Sequence, residues 1–323
     1  MRKIIFLFAI LVATQTIYSA DTIVVAKFGA ANFRTVQEAL DAIPSEKTTW
    51  TVVLIRPGIY VEKLVLAADK THVKIIGENA HTSRISWNDH SGKIVNGDTL
   101  RTSTSYTFWI RGDHVILENL TVENTAGPVG QAVALDVTGD RVAIYNCRLL
   151  GFQDTFYTRG RGRIYVKDSY IDGTTDFIFG SSIVLFENCH LFCKRNSYIT
   201  AASTPEGNKF GYVFKNCKIT AIDNVTEMYL GRPWRDFAKT VFMFCEFDLP
   251  ILSVGWHNWG QVHREKSTFY AEYKNFGKGA DISQRVAWSH ALTDEQAKQY
   301  TLENIFAKNT IAEPFATDWI PER

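Results

Sequence analysis

Ile164-Tyr165-Val166-Lys167-Asp168-Ser169 is a run of β-formers closed by a polar and a small residue, and the pattern recurs. It returns as Val115-Ile116-Leu117-Glu118-Asn119-Leu120, Val142-Ala143-Ile144-Tyr145-Asn146-Cys147, Ile183-Val184-Leu185-Phe186-Glu187-Asn188-Cys189, Tyr212-Val213-Phe214-Lys215-Asn216-Cys217 and Val241-Phe242-Met243-Phe244-Cys245. Counted from the Asn or Asp, the steps between residues 119, 146, 168, 188 and 216 are 27, 22, 20 and 28 residues. Self-similarity at such periods marks a solenoid. Strand-length apolar runs separated by Gly, Asn and Asp, with almost no helical periodicity from 50 to 250, select β-strands as the repeating element. The reading is an all-β chain, a single-stranded parallel β-helix or β-solenoid. Stacked coils lie about 4.8 Å apart, so equivalent residues form ladders. Asn119, Asn146, Asp168, Asn188 and Asn216 are predicted to form one ladder, with Cys147, Cys189, Cys217 and Cys245 beside it.

Outward from the repeats, short helices are predicted at both flanks. Val36, Ala39, Leu40 and Ile43 fall at helical spacing after Thr35 and before Pro44, a segment suited to plugging the open N-terminal coil. Thr293-x-x-Gln296 is a capping box ahead of Ala297, Tyr300 and Ile305. No Pro-, Gly- or Ser-rich linker interrupts the chain, so one catalytic domain is expected over 21–323. The first 20 residues read as a secretory signal, with Arg2 and Lys3 ahead of the apolar run Ile4 to Ala13 and a small-residue end at Ser19-Ala20. That run is too short to span a bilayer, which takes about 20 residues. A secreted or periplasmic, soluble product follows, with no membrane association after removal of the signal.

The 323 residues carry 35 Lys and Arg against 34 Asp and Glu, a net charge of +1, which argues against a nucleic-acid partner. Five cysteines are an odd number and make no small disulfide framework. Cys189-x-x-x-Cys193 lacks a second ligand pair, and the eight histidines show no metal-like spacing, so neither metal nor cofactor is expected. There is no Gly-x-Ser-x-Gly nucleophile elbow and no glycine-rich phosphate loop.

The register makes a sharper statement. Asp154 stands eight residues after Asn146, and Asp176 eight residues after Asp168. Stacking therefore predicts two carboxylates about one rung apart, where like charges repel and one pKa rises. Their turns read Gly151-Phe152-Gln153-Asp154-Thr155-Phe156-Tyr157 and Gly173-Thr174-Thr175-Asp176-Phe177-Ile178-Phe179-Gly180.

These two turns, with Gly127-Pro128-Val129-Gly130-Gln131-Ala132-Val133-Ala134-Leu135, Tyr229-Leu230-Gly231-Arg232-Pro233-Trp234 and the earlier Gly58-Ile59-Tyr60-Val61-Glu62, resemble the signature stretches of the pectin methylesterases, in order along the chain. The resemblance implies a right-handed β-helix that hydrolyses methyl esters of homogalacturonan (pectin) without a metal, acting as a monomer. It implies Asp176 as nucleophile, Asp154 as general acid/base, Gln131 and Gln153 as oxyanion donors, Arg232 as the group orienting the nucleophile, and Trp234 as a wall of the substrate cleft. Tyr157 and Phe179 match cleft aromatics, though aromatics in such a repeat serve the core as readily. Thr102 matches a substrate-binding threonine. Gly130, Tyr270-Ala271-Glu272-Tyr273 and Trp288-Ser289-His290 resemble bacterial branches of the family more than plant ones. Two other readings stand beside this one: a β-helical pectin lyase or galacturonan hydrolase, and a catalytically silent β-helix gripping glycan through Trp234, Trp256 and Trp259.

Overall fold

The structure is a computed structural model and describes residues 22–322. The proposed signal falls outside the described residues. The chain winds into three parallel sheets of eleven, eight and seven strands. All six recurring segments lie next to one another in the eleven-stranded sheet, in the order Val115–Glu118, Val142–Tyr145, Arg163–Lys167, Ile183–Glu187, Tyr212–Lys215 and Lys239–Met243. The parallel β-helix expected from the repeats is the observed fold. Beyond those six, the first sheet gains Thr22–Val25, Thr51–Ile55 and Val73–Gly77 at one end and Phe269–Tyr273 and His290–Ala291 at the other. The second sheet runs from Gly58–Val61 to Glu246–Asp248, the third from Leu64–Leu66 to Tyr229–Gly231.

The expected ladder of polar turn residues is present, and its backbone explains its composition. Asn119, Asn146, Asp168, Asn188 and Asn216 all have positive φ, between 46° and 55°. This left-handed conformation is tolerated best by Asn and Asp among residues with a side chain. It turns the chain from the first sheet into the second at each rung. Adjacent members also bond, Asn146 Nδ2 donating to Asn119 Oδ1 at 2.7 Å. Phe244 and Lys274 hold the same place in later coils, with φ of 55° and 47°.

Inside the coils, alternate residues of each strand pack into one apolar core. Phe186, Phe214 and Phe242 stack through it with ring centroids 4.4 Å apart at each step. The four ladder cysteines are buried, and each Sγ donates to the carbonyl oxygen two residues earlier, as in Cys147 to Tyr145 at 3.3 Å. Burial pushes the Cys147 thiol up to about 12. All five cysteines are free.

Both expected helical flanks form. Helix α1 (Val36–Asp41) is capped by Thr35, buries Val36, Ala39 and Leu40, and packs against the first N-terminal strands. Glu62, the last residue of Gly58-Ile59-Tyr60-Val61-Glu62, accepts hydrogen bonds from the backbone N–H of Val36 at 2.9 Å and of Gln37 at 3.0 Å. A carboxylate there meets the positive end of the helix. At the C-terminus, Thr293 and Gln296 form the expected capping box of α2 (Asp294–Ala297), and α3 (Leu302–Ile305) follows. Phe306, Ile311 and Trp319 then cover Tyr165, Ile183 and other apolar residues on the outer face of the first sheet. Arg163, with a side chain 0% exposed, fastens this segment: it pairs with Asp140 at 2.8 Å and donates to the carbonyl oxygens of Phe306 and Thr317.

Candidate active site

The site lies on the outside of the third sheet. From Leu64–Leu66 to Ile178–Gly180 its strands are three residues long, and their end residues face the core while the middle residue faces out. Register pairs Phe156 with Ile178 and Tyr157 with Phe179, so Asp154 and Asp176, each two residues ahead, occupy the same place on consecutive rungs. Both have left-handed backbones, with φ of 67° and 49°. Backbone bonds hold each turn to the next coil: Asp154 N–H donates to Thr175 O at 3.1 Å and Asp176 N–H to Tyr198 O at 2.8 Å. On the other side, Gln131 and Gln153 form a bridge between adjacent rungs, which sets their side chains in line with the carboxylates.

Arg232 reaches the pair from the Leu230-Gly231-Arg232-Pro233-Trp234 turn. Gly231 is needed there because a Cβ would lie 2.1 Å from Thr200 Oγ1. The close approach lets Arg232 N–H donate to Thr200 O and Trp234 N–H to Ala202 O. Arg232 then grips Asp176 with both arms, Nε to Oδ1 at 3.0 Å and Nη2 to Oδ2 at 2.6 Å. Its guanidinium lies between two rings, 3.9 Å from the centroid of Tyr198 and 3.7 Å from that of Trp259. The fork is therefore fixed before any ligand arrives.

The two carboxyls sit in different fields. Asp154 is 7% exposed, and the described residues form no hydrogen bond to its carboxyl. Burial, followed by the neighbouring Asp176 charge, drives its pKa well above the usual carboxylate range. Burial also raises Asp176, but the Arg232 hydrogen bonds and charge pull back. Burial and the Asp176 charge thus push Asp154 towards its protonated form, while Arg232 favours the ionised form of Asp176.

A cavity of about 420 Å³ opens over the pair. Its lining gathers every site residue that the family resemblance implied: Thr102, Gln131, Gln153, Asp154, Tyr157, Asp176, Phe179, Arg232 and Trp234. Tyr157 and Phe179 stack at 4.2 Å and belong with Trp234 and Trp259 to a small apolar cluster outside the solenoid core, which decides between the two places open to them. Arg101, Ser103, Ala201 and Trp259 complete the lining. Of these only Trp259 had a sequence signal, as a glycan-gripping tryptophan. Trp256, read the same way, is 1% exposed and packs on Tyr270 and Phe242, so it cannot meet a glycan.

The site thus sets a guanidinium-held carboxyl, a second carboxyl one rung away, two amides and aromatic rings on the outside of a β-helix. The pectinesterase family profile matches residues 22–309, and the chain belongs to that family. It is 40% identical over 283 residues to Pectinesterase 31 of Arabidopsis thaliana, covering 85% of this chain and 89% of that one. It is similar in fold to the pectin methylesterase from carrot, with TM-score 0.82, 28% identity, and coverage of 95% and 100% of the two chains. It is also similar to a pectin methylesterase in complex with a hexasaccharide, at TM-score 0.80 and 28% identity over 93% of this chain and 98% of the other. The expected leaning towards bacterial branches finds no support, since the plant relative matches at 40% identity along most of the chain. A few local departures such as Gly130 weigh little against that.

Proposed function

We propose that this esterase removes methyl groups from homogalacturonan through an acyl-enzyme on Asp176. Asp176 attacks the ester carbonyl carbon, and the charge passes to the carbonyl oxygen. The amide groups of Gln131 and Gln153 stabilise that oxyanion without offering a competing proton. As the tetrahedral intermediate collapses, the C–OCH3 bond breaks and Asp154 gives its proton to the leaving oxygen. Methanol departs, leaving a mixed anhydride between Asp176 and the sugar carboxyl. Asp154, now a carboxylate, takes a proton from water, which attacks the anhydride. Attack falls on the sugar acyl carbon held by the two amides, so its bond to Asp176 breaks and Asp176 leaves as a carboxylate; the sugar acid releases its proton to solvent, and both aspartates regain their starting states. Trp234, Tyr157, Phe179 and Thr102 hold the uronate ring beside the pair.

The observation that carries this reading is the unequal pair: Asp176 bound by both arms of Arg232 beside a buried Asp154 that has no such partner among the described residues and whose pKa burial and the Asp176 charge raise. Microscopic roles within a coupled pair need a direct test. Hydroxylamine added during turnover opens the anhydride, and peptide mass spectrometry should then find a hydroxamate on Asp176; a hydroxamate on Asp154 alone reverses the two roles. Methanol release from methylated pectin with unchanged chain length separates this chemistry from that of a lyase or hydrolase. Residues 21–323 act as one catalytic unit, exported by the preceding 20 and working as a secreted or periplasmic monomer without membrane or nucleic-acid partner. Among the described residues no helix is long and apolar enough to cross a membrane.

A further inference from the structure

The third sheet continues past the cavity. Val65, Trp109, Asp136, Tyr157 and Phe179 are register partners on consecutive rungs of the third sheet, and each is the outward residue of its strand. Two rungs beyond Tyr157, the Trp109 ring carries two guanidinium groups, that of Arg159 at 4.6 Å and that of Arg111 at 4.7 Å from its centroid. Trp109 itself is fixed by Nε1 donating to Thr138 Oγ1 at 3.1 Å.

Between the tryptophan and the cavity lies a buried charge the reaction does not use. The Asp136 side chain is 0% exposed and pairs with Arg159 through Nε to Oδ1 at 3.0 Å and Nη2 to Oδ2 at 2.9 Å. Burial pushes Asp136 up to about 7 against the pull of that arginine. Such a pair is weak evidence for stability, because desolvation offsets much of the attraction. What it does achieve is a guanidinium held flat at the edge of the cleft, 5.5 Å from the Tyr157 ring. Arg111, by contrast, is exposed and forms no ion pair among the described residues.

We propose that Arg111 and Arg159, held on Trp109, form a subsite for the free carboxylate of a galacturonate unit about two sugars from the ester being cleaved. Arg111 offers a carboxylate its fork, and Arg159, whose Nε and Nη2 hold Asp136, offers its Nη1; neither has anything comparable to offer a neutral methyl ester. A galacturonan strand laid along the solenoid axis advances about one sugar per rung of about 4.8 Å. The subsite thus recognises this enzyme's own product and favours esters beside an already demethylated stretch. Trp109 and Asp136 are positioning residues.

The inference rests on the pectinesterase reading, and one experiment keeps the two apart. Methanol release is measured on hexagalacturonate carrying a single methyl ester and on the fully methylated hexamer. In Arg111→Gln, at an exposed position, the ratio of kcat/KM for the first to the second should fall about tenfold, the scale of one charge-assisted hydrogen bond. The loss should lie in KM and be partly restored in Arg111→Lys, and the preference of the unsubstituted enzyme for the first substrate should shrink as salt rises. Arg159→Gln should act in the same direction if it folds; Arg111 decides the matter if it does not. A ratio within twofold of the unsubstituted enzyme's overturns the subsite while leaving the esterase reading intact. An unsubstituted enzyme that releases methanol from neither substrate overturns both.

Discussion

Replacing Arg232 by Gln removes the one cation among the described residues that touches Asp176. A guanidinium and a carboxylate about 4 Å apart between charge centres attract by roughly 4 kcal/mol at an effective dielectric of 20, or about 3 pKa units at 1.36 kcal/mol each. The side chains of Arg232 and Asp176 are 19% and 7% exposed, so water in the cleft screens part of this. An upward shift of about 1 to 2 units in Asp176 is the expected result. Burial has already raised that carboxyl, and without Arg232 only burial remains. The acid limb of kcat/KM against pH, which reports the free enzyme, should move up by the same amount. At a pH below the shifted limb, each unit lowers activity about tenfold. The assay is methanol release across the pH range with Arg232→Gln and Arg232→Lys, the lysine restoring charge without the fork. Plateau activity should also fall, because the fork orients the nucleophile, so the diagnostic is the position of the limb. A limb that stays within a few tenths of a unit in Arg232→Gln would refute the claim that Arg232 keeps Asp176 ionised.

Gln153→Ala should lower kcat by about 10²-fold or more, and normal turnover would remove it from the oxyanion site. Asp154→Asn should slow methanol release by about 10²- to 10⁴-fold and yet stabilise the fold at neutral pH. The native state holds a proton on Asp154 that the unfolded chain gives up near its ordinary value, so native stability is lost as pH rises from about 4 through the raised pKa. Thermal unfolding should show Asp154→Asn melting above the unsubstituted protein at pH 8 and level with it below pH 4; a lower melting point at pH 8 contradicts this sign. Thiol titration of the denatured, unreduced protein should find the cysteines free, whereas the native protein should react slowly because all five are buried; two or more disulfides per chain would break the ladder reading.

Six strands of one sheet were legible because five end in Asn or Asp at a left-handed turn, four of these followed by a buried Cys or Ser, and the sixth runs into Phe244 and the buried Cys245. The neighbouring strands lack that tag. Thr51–Ile55 runs into Arg56-Pro57, and Phe269–Tyr273 turns at Lys274, whose φ of 47° is the same but whose side chain does not announce it. The third sheet left little trace, since three-residue strands such as Leu135–Val137 give no period to count. The carboxylate pair was legible by arithmetic, because a constant offset along the chain becomes a constant place on the stack. The Asp136, Arg159 and Trp109 cluster was not. Its members are spread over fifty-odd residues, and only rung-to-rung register brings them together. Trp256 shows the converse, an aromatic whose neighbours along the chain conceal that its ring turns inward.

The C-terminal segment pinned by Arg163 has a bearing on how the chain matures. Neighbouring coils can form as soon as each is made, since every rung contacts the one before it. The outer face around Tyr165 and Ile183, however, is sealed by Phe306, Ile311 and Trp319, made well over a hundred residues later. Throughout synthesis that face is an apolar surface on an otherwise formed stack, and exposed surface of this sort invites aggregation. Closure of the tail is a late, long-range event with its own loop entropy to overcome. A chain cut short before residue 306 would retain its catalytic groups in sequence and still lack the cover that keeps its copies apart.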